Sequence, residues 1–225
     1  MKNLLKNLRI VKNFKNSFRT RKLLKNSAGQ INLDSESGKF LNELIQEYEI
    51  FSILDIGTWN GLGSTLTAYN ALVLKNKDSK ITSIESDKIA YRLAVKNLSK
   101  YPEIILKYGR LIEISDLVKP EEIDFLSHNL YPENIEWYIQ DLRRYERTEN
   151  LFLELDLEYD LIIFDGGEFS TFPEFIKLYE RTKFFCLDDI FTYKQFDVLN
   201  FIKRNSSKFE LIKTVNGFSF YKTNC

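Results

Sequence analysis

Cysteine is nearly absent from this chain of 225 residues, and histidine occurs once. The two cysteines, Cys186 and Cys225, lie far apart, so neither a disulfide framework nor a cysteine metal site is spelled out. A reducing compartment, the cytoplasm, is the default expectation. Net charge is missing too: 32 basic residues offset 32 acidic ones. That removes the global field expected of a nucleic-acid-binding protein. No apolar run has the length of a membrane span, and the first residues lack a signal-peptide pattern. Glycine is scarce, with nine in the whole chain.

What is present suits a soluble domain, with 44% hydrophobic and 28% charged residues. The zero charge hides an asymmetry. Residues 1–30 carry nine Lys or Arg and no acid, which leaves the remainder at a net charge of −9. Leu4, Leu8, Val11, Phe14 and Phe18 recur at helical spacing with most cations on the other face, predicting an amphipathic helix over about 4–18. Two expectations stand for this segment. It docks on an anionic membrane surface, or it packs on the acidic body of its own chain or of a second subunit in a homodimer.

From residue 31 onward the pattern alternates. "KFLNELIQEYEI" reads as a helix and "FSILDI" as a strand. A glycine-rich turn and a helix to about Leu74 follow, then a strand, "KITSIES". "DKIAYRLAVKNLSKY" is helical up to Pro102, and "EIILKY" is a third strand. A polar, aromatic insertion near 118–150 reads as helical in pieces. "YDLIIFDGG" and "KFFCLDD" are buried strands separated by the helix "FPEFIKLYERT", and "YKQFDVLNFIKRN" is a last helix. Two alternating strands around Asn216-Gly217 close the chain as a hairpin. Alternation of this kind predicts an α/β, Rossmann-like doubly wound sheet. It is mostly parallel, with helices on both faces and an antiparallel C-terminal hairpin. The domain reading is a basic segment, 1–30, followed by one domain, 31–225.

Three of the nine glycines fall in "ILDIGTWNGLGS". A strand, a glycine-rich turn and a helix form a cofactor site in such sheets. Gly57 permits the tight turn, and Gly61 and Gly63 allow ligand or backbone to approach without a Cβ clash. Glu85 ends the next strand, where an acid accepts both hydroxyl hydrogens of a ribose. Two binding modes share this layout. The glycine spacing is not G-x-G-x-x-G, and Asp55 would repel a pyrophosphate but suits an ammonium.

These residues resemble the class I, S-adenosylmethionine-dependent methyltransferases. "LDIGTWNGLGS" is similar to their first motif, and Glu85 to their ribose-binding acid. The terminal hairpin is similar to their reversed last strand. "GKFLNELI" with "DIGTWNGLGST" looks most like the metal-dependent O-methyltransferase branch, with its catechol, caffeoyl-CoA and macrocin-type enzymes. The resemblance implies a cofactor set of Asp55, Gly57, Thr58, Trp59, Gly61, Gly63, Ser64, Glu85, Ser86, Gly109 and Arg110. Trp59 would face the sulfonium, and Gly109-Arg110 the adenine. As plain structure, Trp59 covers the turn and Arg110 is a surface charge.

Asp165 ends the fourth strand, and Asp188 and Asp189 end the fifth. Adjacent strands lie about 4.8 Å apart, so these acids converge at the carboxyl edge. Three carboxylates in a small volume repel unless a cation or protons compensate, and oxygen-only ligands suit Mg²⁺ or Mn²⁺. The metal-dependent branch uses such a trio, so the resemblance implies a cation on Asp165, Asp188 and Asp189. Macrocin-type relatives carry a histidine base just after Asp-Gly. Here the stretch is "DGGEFS", which moves the catalytic expectation to Glu168 beside Asp165. The one histidine, His128, lies in the polar insertion and reads as solvated. Trp137, Tyr138 and Tyr145 sit at helical spacing and read as core.

The expected function is methyl transfer to a hydroxyl of a sugar, a glycan precursor or another small acceptor, with no nucleic-acid partner. Two alternatives stay open. One is a metal-independent small-molecule methyltransferase, and the other is a methyltransferase fold that keeps its cofactor without catalysis.

Overall fold

The structure, a computed structural model, describes residues 31–75, 79–124 and 132–224. The expected N-terminal helix and His128 lie outside them. Seven strands form one sheet: β1 (Ser52–Ile56), β2 (Lys80–Glu85), β3 (Ile104–Tyr108), β4 (Tyr159–Phe164), β5 (Thr182–Leu187), β6 (Phe209–Val215) and β7 (Phe218–Thr223). Their spatial order is β3-β2-β1-β4-β5-β7-β6. The first five run parallel, and β7 is antiparallel to both β5 and β6. Strand order reverses between β1 and β4, and ligands of such sheets bind beyond the carboxyl ends there.

The helices among the described residues are α1 (Glu36–Glu47), α2 (Ser64–Lys75), α3 (Lys88–Asn97), α4 (Pro132–Tyr145), α5 (Thr171–Leu178) and α6 (Phe196–Arg204). Alternation along the central strands sorts the core into two layers. Ile53, Leu161 and Ile163 pack with Leu41, Leu44 and Ile45 of α1 and Ala68 and Leu72 of α2. Leu54, Ile56, Ile162 and Phe164 pack on the other face with Phe175 and Leu178 of α5 and Val198 and Ile202 of α6. Burial on both faces explains why β4 reads as an unbroken apolar run.

Helix starts follow capping chemistry. The Ser35 hydroxyl accepts the Gly38 N–H at 3.0 Å, so α1 begins three residues before "KFLNELI". Asp87 accepts the N–H groups of Ile89 at 2.8 Å and Ala90 at 3.1 Å and opens α3. That helix stops at Asn97, well short of Pro102. The hairpin turns on Asn216 and Gly217, both left-handed, with φ of 46° and 82°, as a tight two-residue turn requires.

Among the described residues, the polar insertion holds the 3₁₀ turn Pro120–Glu122 and the helix α4, and a 3₁₀ turn at Ile114–Asp116 precedes it. It is joined to the body by a third apolar cluster that includes Ile112, Leu117, Tyr145, Phe169 and Tyr193. Of the three aromatics expected as core, Tyr145 is buried, whereas Trp137 is 43% exposed and stacks on Tyr193 at a ring distance of 6.1 Å. No helix among the described residues is long and apolar enough to cross a membrane.

Candidate active site

A cavity of about 390 Å³ opens at the carboxyl edge over the β1/β4 switch. Gly57, Thr58, Trp59, Gly63, Ser64, Glu85, Ser86, Gly109 and Arg110 line one part, and Asp165, Glu168, Asp188 and Asp189 line another. Eleven positions named from sequence as cofactor-binding thus divide cleanly: nine line this cavity, and Asp55 and Gly61 do not.

Backbone conformation shapes the first part. Gly57 has φ of 100°, and a Cβ there would collide with the Asp165 carbonyl oxygen. Only glycine lets the β1 turn lie against the end of β4. Trp59 follows in the left-handed region with φ of 54°, a strained conformation for a bulky residue. Its N–H donates to Glu85 Oε2 at 2.7 Å, and the Asp87 N–H donates to Glu85 Oε1 at 2.6 Å. The Glu85 carboxylate is thereby fixed at the tip of β2, facing the cavity.

Asp55 and Gly61 are placed differently from the sequence expectation. Asp55 shares the strand face of Ile53, so its side chain points under the start of α2. It is fully buried and accepts hydroxyl hydrogen bonds from Ser64 at 3.1 Å, from Thr65, and from Ser83 at 3.0 Å. These three hydroxyls occupy the carboxylate that was expected to meet a ligand ammonium. Gly61 has φ of 81° and faces α3 and its end; a Cβ would press on Leu98 at 2.6 Å. Arg110 turns its guanidinium inward, donating to the carbonyls of Ile112 at 3.1 Å, Tyr145 at 3.1 Å and Thr148. That anchors the last turn of α4 and the loop after it.

The acids of the second part converge as β4 and β5 end in register. Carboxylate oxygens of Asp165, Asp188 and Asp189 lie within 4.8 Å of one another. Asp189 is left-handed at φ of 58°, with its N–H donated to Asp188 Oδ1 at 2.9 Å. A fourth group completes the cluster. The ammonium of Lys194, from the 3₁₀ turn Tyr193–Gln195, lies 2.7 Å from Asp165 Oδ1 and 2.9 Å from Asp189 Oδ2. Its side chain is only 3% exposed. The next residue, Gln195, donates its amide to the carbonyls of Phe164 at 3.1 Å and Asp188 at 2.9 Å. The lysine turn is therefore tied to the ends of β4 and β5. A divalent cation does not fit this arrangement as it stands, because an ammonium already bridges two of its three ligands.

Residues 11–119 match the family model described as O-methyltransferase. Among solved structures, the O-methyltransferase TomG from Streptomyces achromogenes, in complex with SAM, has a TM-score of 0.56 at 15% identity. The match covers 87% of this chain and 82% of that one. An O-methyltransferase from Bacillus cereus in complex with SAH gives 0.58 at 13% identity, over 92% and 91% of the two chains. The SAH-bound methyltransferase PaMTH1 from Podospora anserina gives 0.54 at 13% identity, over 84% and 78%. The chain shares the fold of these structures, and the O-methyltransferase pattern covers just under half of it. No curated protein sequence matches it.

Burial dominates the electrostatics of the cavity. It pushes the carboxyls of Glu85, Glu168, Glu174 and Asp188 up to about 7, and that of Asp55 to about 6. Asp165 is raised by the same cause, with Lys194 opposing it. For Lys194, burial pulls the pKa down, but Asp165, Asp189 and Glu168 outweigh it and the net direction is upward. Lys194 therefore stays an ammonium, paired with the carboxylates of Asp165 and Asp189.

Sequence reasoning missed Lys194, Glu174 and the pair Asp141 and Arg144. Arg144 reaches Asp141 at 3.1 Å and Asp87 at 3.3 Å, bridging α4 to the start of α3 beside Glu85. Tyr145 donates to Glu174 Oε1 at 2.7 Å behind Gly166. The only signal for Lys194 was its position five residues after Asp189. The i, i+3 spacing of Asp141 and Arg144 marked a helix pair but not its place over the cavity.

Proposed function

We propose that the chain transfers a methyl group from S-adenosylmethionine to a hydroxyl of a small acceptor, with a sugar or glycan precursor preferred. The observation that carries this reading is one cavity joining a ribose-type carboxylate, Glu85, to a wall of carboxylates at the β4 and β5 ends. The family pattern and the SAM- and SAH-bound structural relatives support the same cofactor.

The residues present fit that cofactor. Glu85 keeps lone pairs for two ribose hydroxyls while its two oxygens accept the N–H groups of Trp59 and Asp87. Gly63 and Ser64, where α2 begins, offer backbone N–H groups to a carboxylate. When bound, S-adenosylmethionine supplies a sulfonium methyl that an oxygen nucleophile takes by in-line displacement, with the C–S electron pair returning to sulfur.

This chain's residues then have the acceptor to manage. Glu168 Oε2 is buried without a hydrogen-bond partner, and its carboxyl titrates at about 7. A base poised near the working pH takes a hydroxyl proton with least mismatch. Asp165 and Asp189, each paired with Lys194, accept further acceptor hydroxyls and orient them. A carboxylate-rich wall recognises polyhydroxylated ligands better than apolar rings, which favours the sugar class.

The alternative of cofactor binding without catalysis is favoured by "DGGEFS", which lacks a histidine. Conversion of S-adenosylmethionine to S-adenosylhomocysteine over a panel of sugars, nucleotide sugars and catechols separates the two. Acceptor-dependent turnover that Glu168→Gln reduces supports methyl transfer. Tight cofactor binding with no turnover on any panel member supports the alternative.

A further inference from the structure

We infer that Lys194 stands in for a divalent cation, so that this chain organises its strand-end carboxylates without a metal. The inference begins from the trio Asp165, Asp188 and Asp189, whose carboxylates come within 4.8 Å of one another. Three such groups need compensating positive charge. Lys194 delivers it inside the cluster, at 2.7 Å from Asp165 and 2.9 Å from Asp189.

The lysine is built in rather than draped over the site. It is 3% exposed and is not among the residues that line the cavity, although it pairs with two that are, Asp165 and Asp189. Gln195 ties its turn to the carbonyls of Phe164 and Asp188. The Thr192 N–H and hydroxyl both bond the Asp189 carbonyl at 2.9 Å. The segment from Asp188 to Gln195 thus closes on itself with the ammonium inside.

A Mg²⁺ or Mn²⁺ ion would need carboxylate oxygens at about 2.0–2.1 Å in near-octahedral array. An ion bridging Asp165 and Asp189 would have to share that space with the ammonium or expel it. Expulsion would leave a buried lysine without its carboxylate partners, which is strongly unfavourable. Asp188 also directs one oxygen to the Asp189 N–H rather than outward. A monovalent, immobile charge therefore takes the place of an exchangeable divalent one.

Lys194 is a positioning residue here. It touches Asp165 and Asp189, and those carboxylates face the acceptor. Its catalytic relevance rests on the methyl-transfer reading, but the metal measurement does not. The purified full-length chain, stripped with EDTA, is titrated with Mn²⁺ while free ion is followed by electron paramagnetic resonance. S-adenosylhomocysteine binding in the same samples reports that the fold is intact. We expect the wild type to leave millimolar Mn²⁺ unbound, with or without S-adenosylhomocysteine. Lys194→Met, which vacates the cation's place while leaving the three carboxylates, should gain Mn²⁺ binding that Asp188→Asn then removes. Stoichiometric Mn²⁺ binding by the wild type overturns the inference. So does a folded Lys194→Met that binds no more Mn²⁺ than the wild type. If Lys194→Met does not fold, wild-type turnover decides: activity unchanged in EDTA supports the inference, and activity lost in EDTA and restored by Mg²⁺ overturns it.

Discussion

The backbone N–H of Trp59 donates to Glu85 Oε2 across 2.7 Å, so the strained turn after β1 holds the acid at the tip of β2. The glycine-rich turn and Glu85 form one device. The turn orients the carboxylate, and the carboxylate holds the turn in its left-handed conformation.

That pairing predicts how cofactor binding depends on pH. Burial raises the Glu85 carboxyl to about 7, and the form that accepts ribose hydroxyls is the ionised one. Affinity for S-adenosylhomocysteine should rise as pH increases through that value, with protons released on binding. Calorimetry in buffers of different ionisation heat measures both. Glu85→Gln should flatten the profile, and Glu85→Ala should cost about 1.5–3 kcal/mol in binding at neutral pH.

Glu168→Gln keeps the volume of the side chain and removes its basicity. Turnover should drop about 10²–10⁴-fold, the usual size of a general-base contribution. S-adenosylhomocysteine affinity should change little. Equal losses in both quantities would mark Glu168 as structural.

Gly57→Ala should fail to give a stable fold. It forces a Cβ into φ of 100° and against the Asp165 carbonyl, where two kinds of strain add. Loss of a cooperative thermal transition checks it. Gly217→Ala meets the same φ restriction but only ring-edge contacts with Phe191 at 3.5 Å, so it should melt lower yet still fold.

Stability of the ligand-free chain should fall as pH rises from about 4.5 to about 7. Glu85, Glu168 and Glu174 titrate near 7 when folded, against 4.5 for the ordinary group. Asp188 moves from 3.8 to about 7 and Asp55 from 3.8 to about 6. Within that window the folded chain holds protons that the unfolded chain releases, so each pH step upward favours unfolding. The lowered groups Asp116, Asp160 and Glu122 lose their contribution only at more acidic pH. Thermal melts across the window should show a falling midpoint, and saturating S-adenosylhomocysteine should lessen the slope.

The basic first thirty residues carry a separate expectation. Their nine cations belong to a chain whose remainder has a net charge of −9, which favours docking on protein over docking on lipid. Full-length chain should stay in the supernatant with anionic vesicles, while deletion of residues 1–30 lowers stability or dimerisation. Salt-sensitive vesicle binding would reverse that choice.

Much of this was legible in the sequence because the signals were local. The period-2 and period-3.6 patterns placed all seven strands, Asn216-Gly217 marked the hairpin, and Glu85 and the three aspartates fell at strand ends. Less legible were features set by side-chain direction. Asp55 looked like a ligand-facing acid until strand alternation turned it toward Ser64, Thr65 and Ser83. Lys194 looked like an ordinary lysine at a helix start. Only the register of β4 against β5, and the tie made by Gln195, bring its ammonium between Asp165 and Asp189. Arg144 needed the insertion to fold over the cavity before its partners Asp87 and Asp141 met.

Calorimetric titration of the full-length chain with S-adenosylhomocysteine, with NAD as a competitor and Glu85→Ala as a control, tests the central claim most directly. The account predicts one-to-one binding of S-adenosylhomocysteine that NAD does not displace and that Glu85→Ala weakens. No binding, or displacement by NAD at comparable concentration, would contradict it.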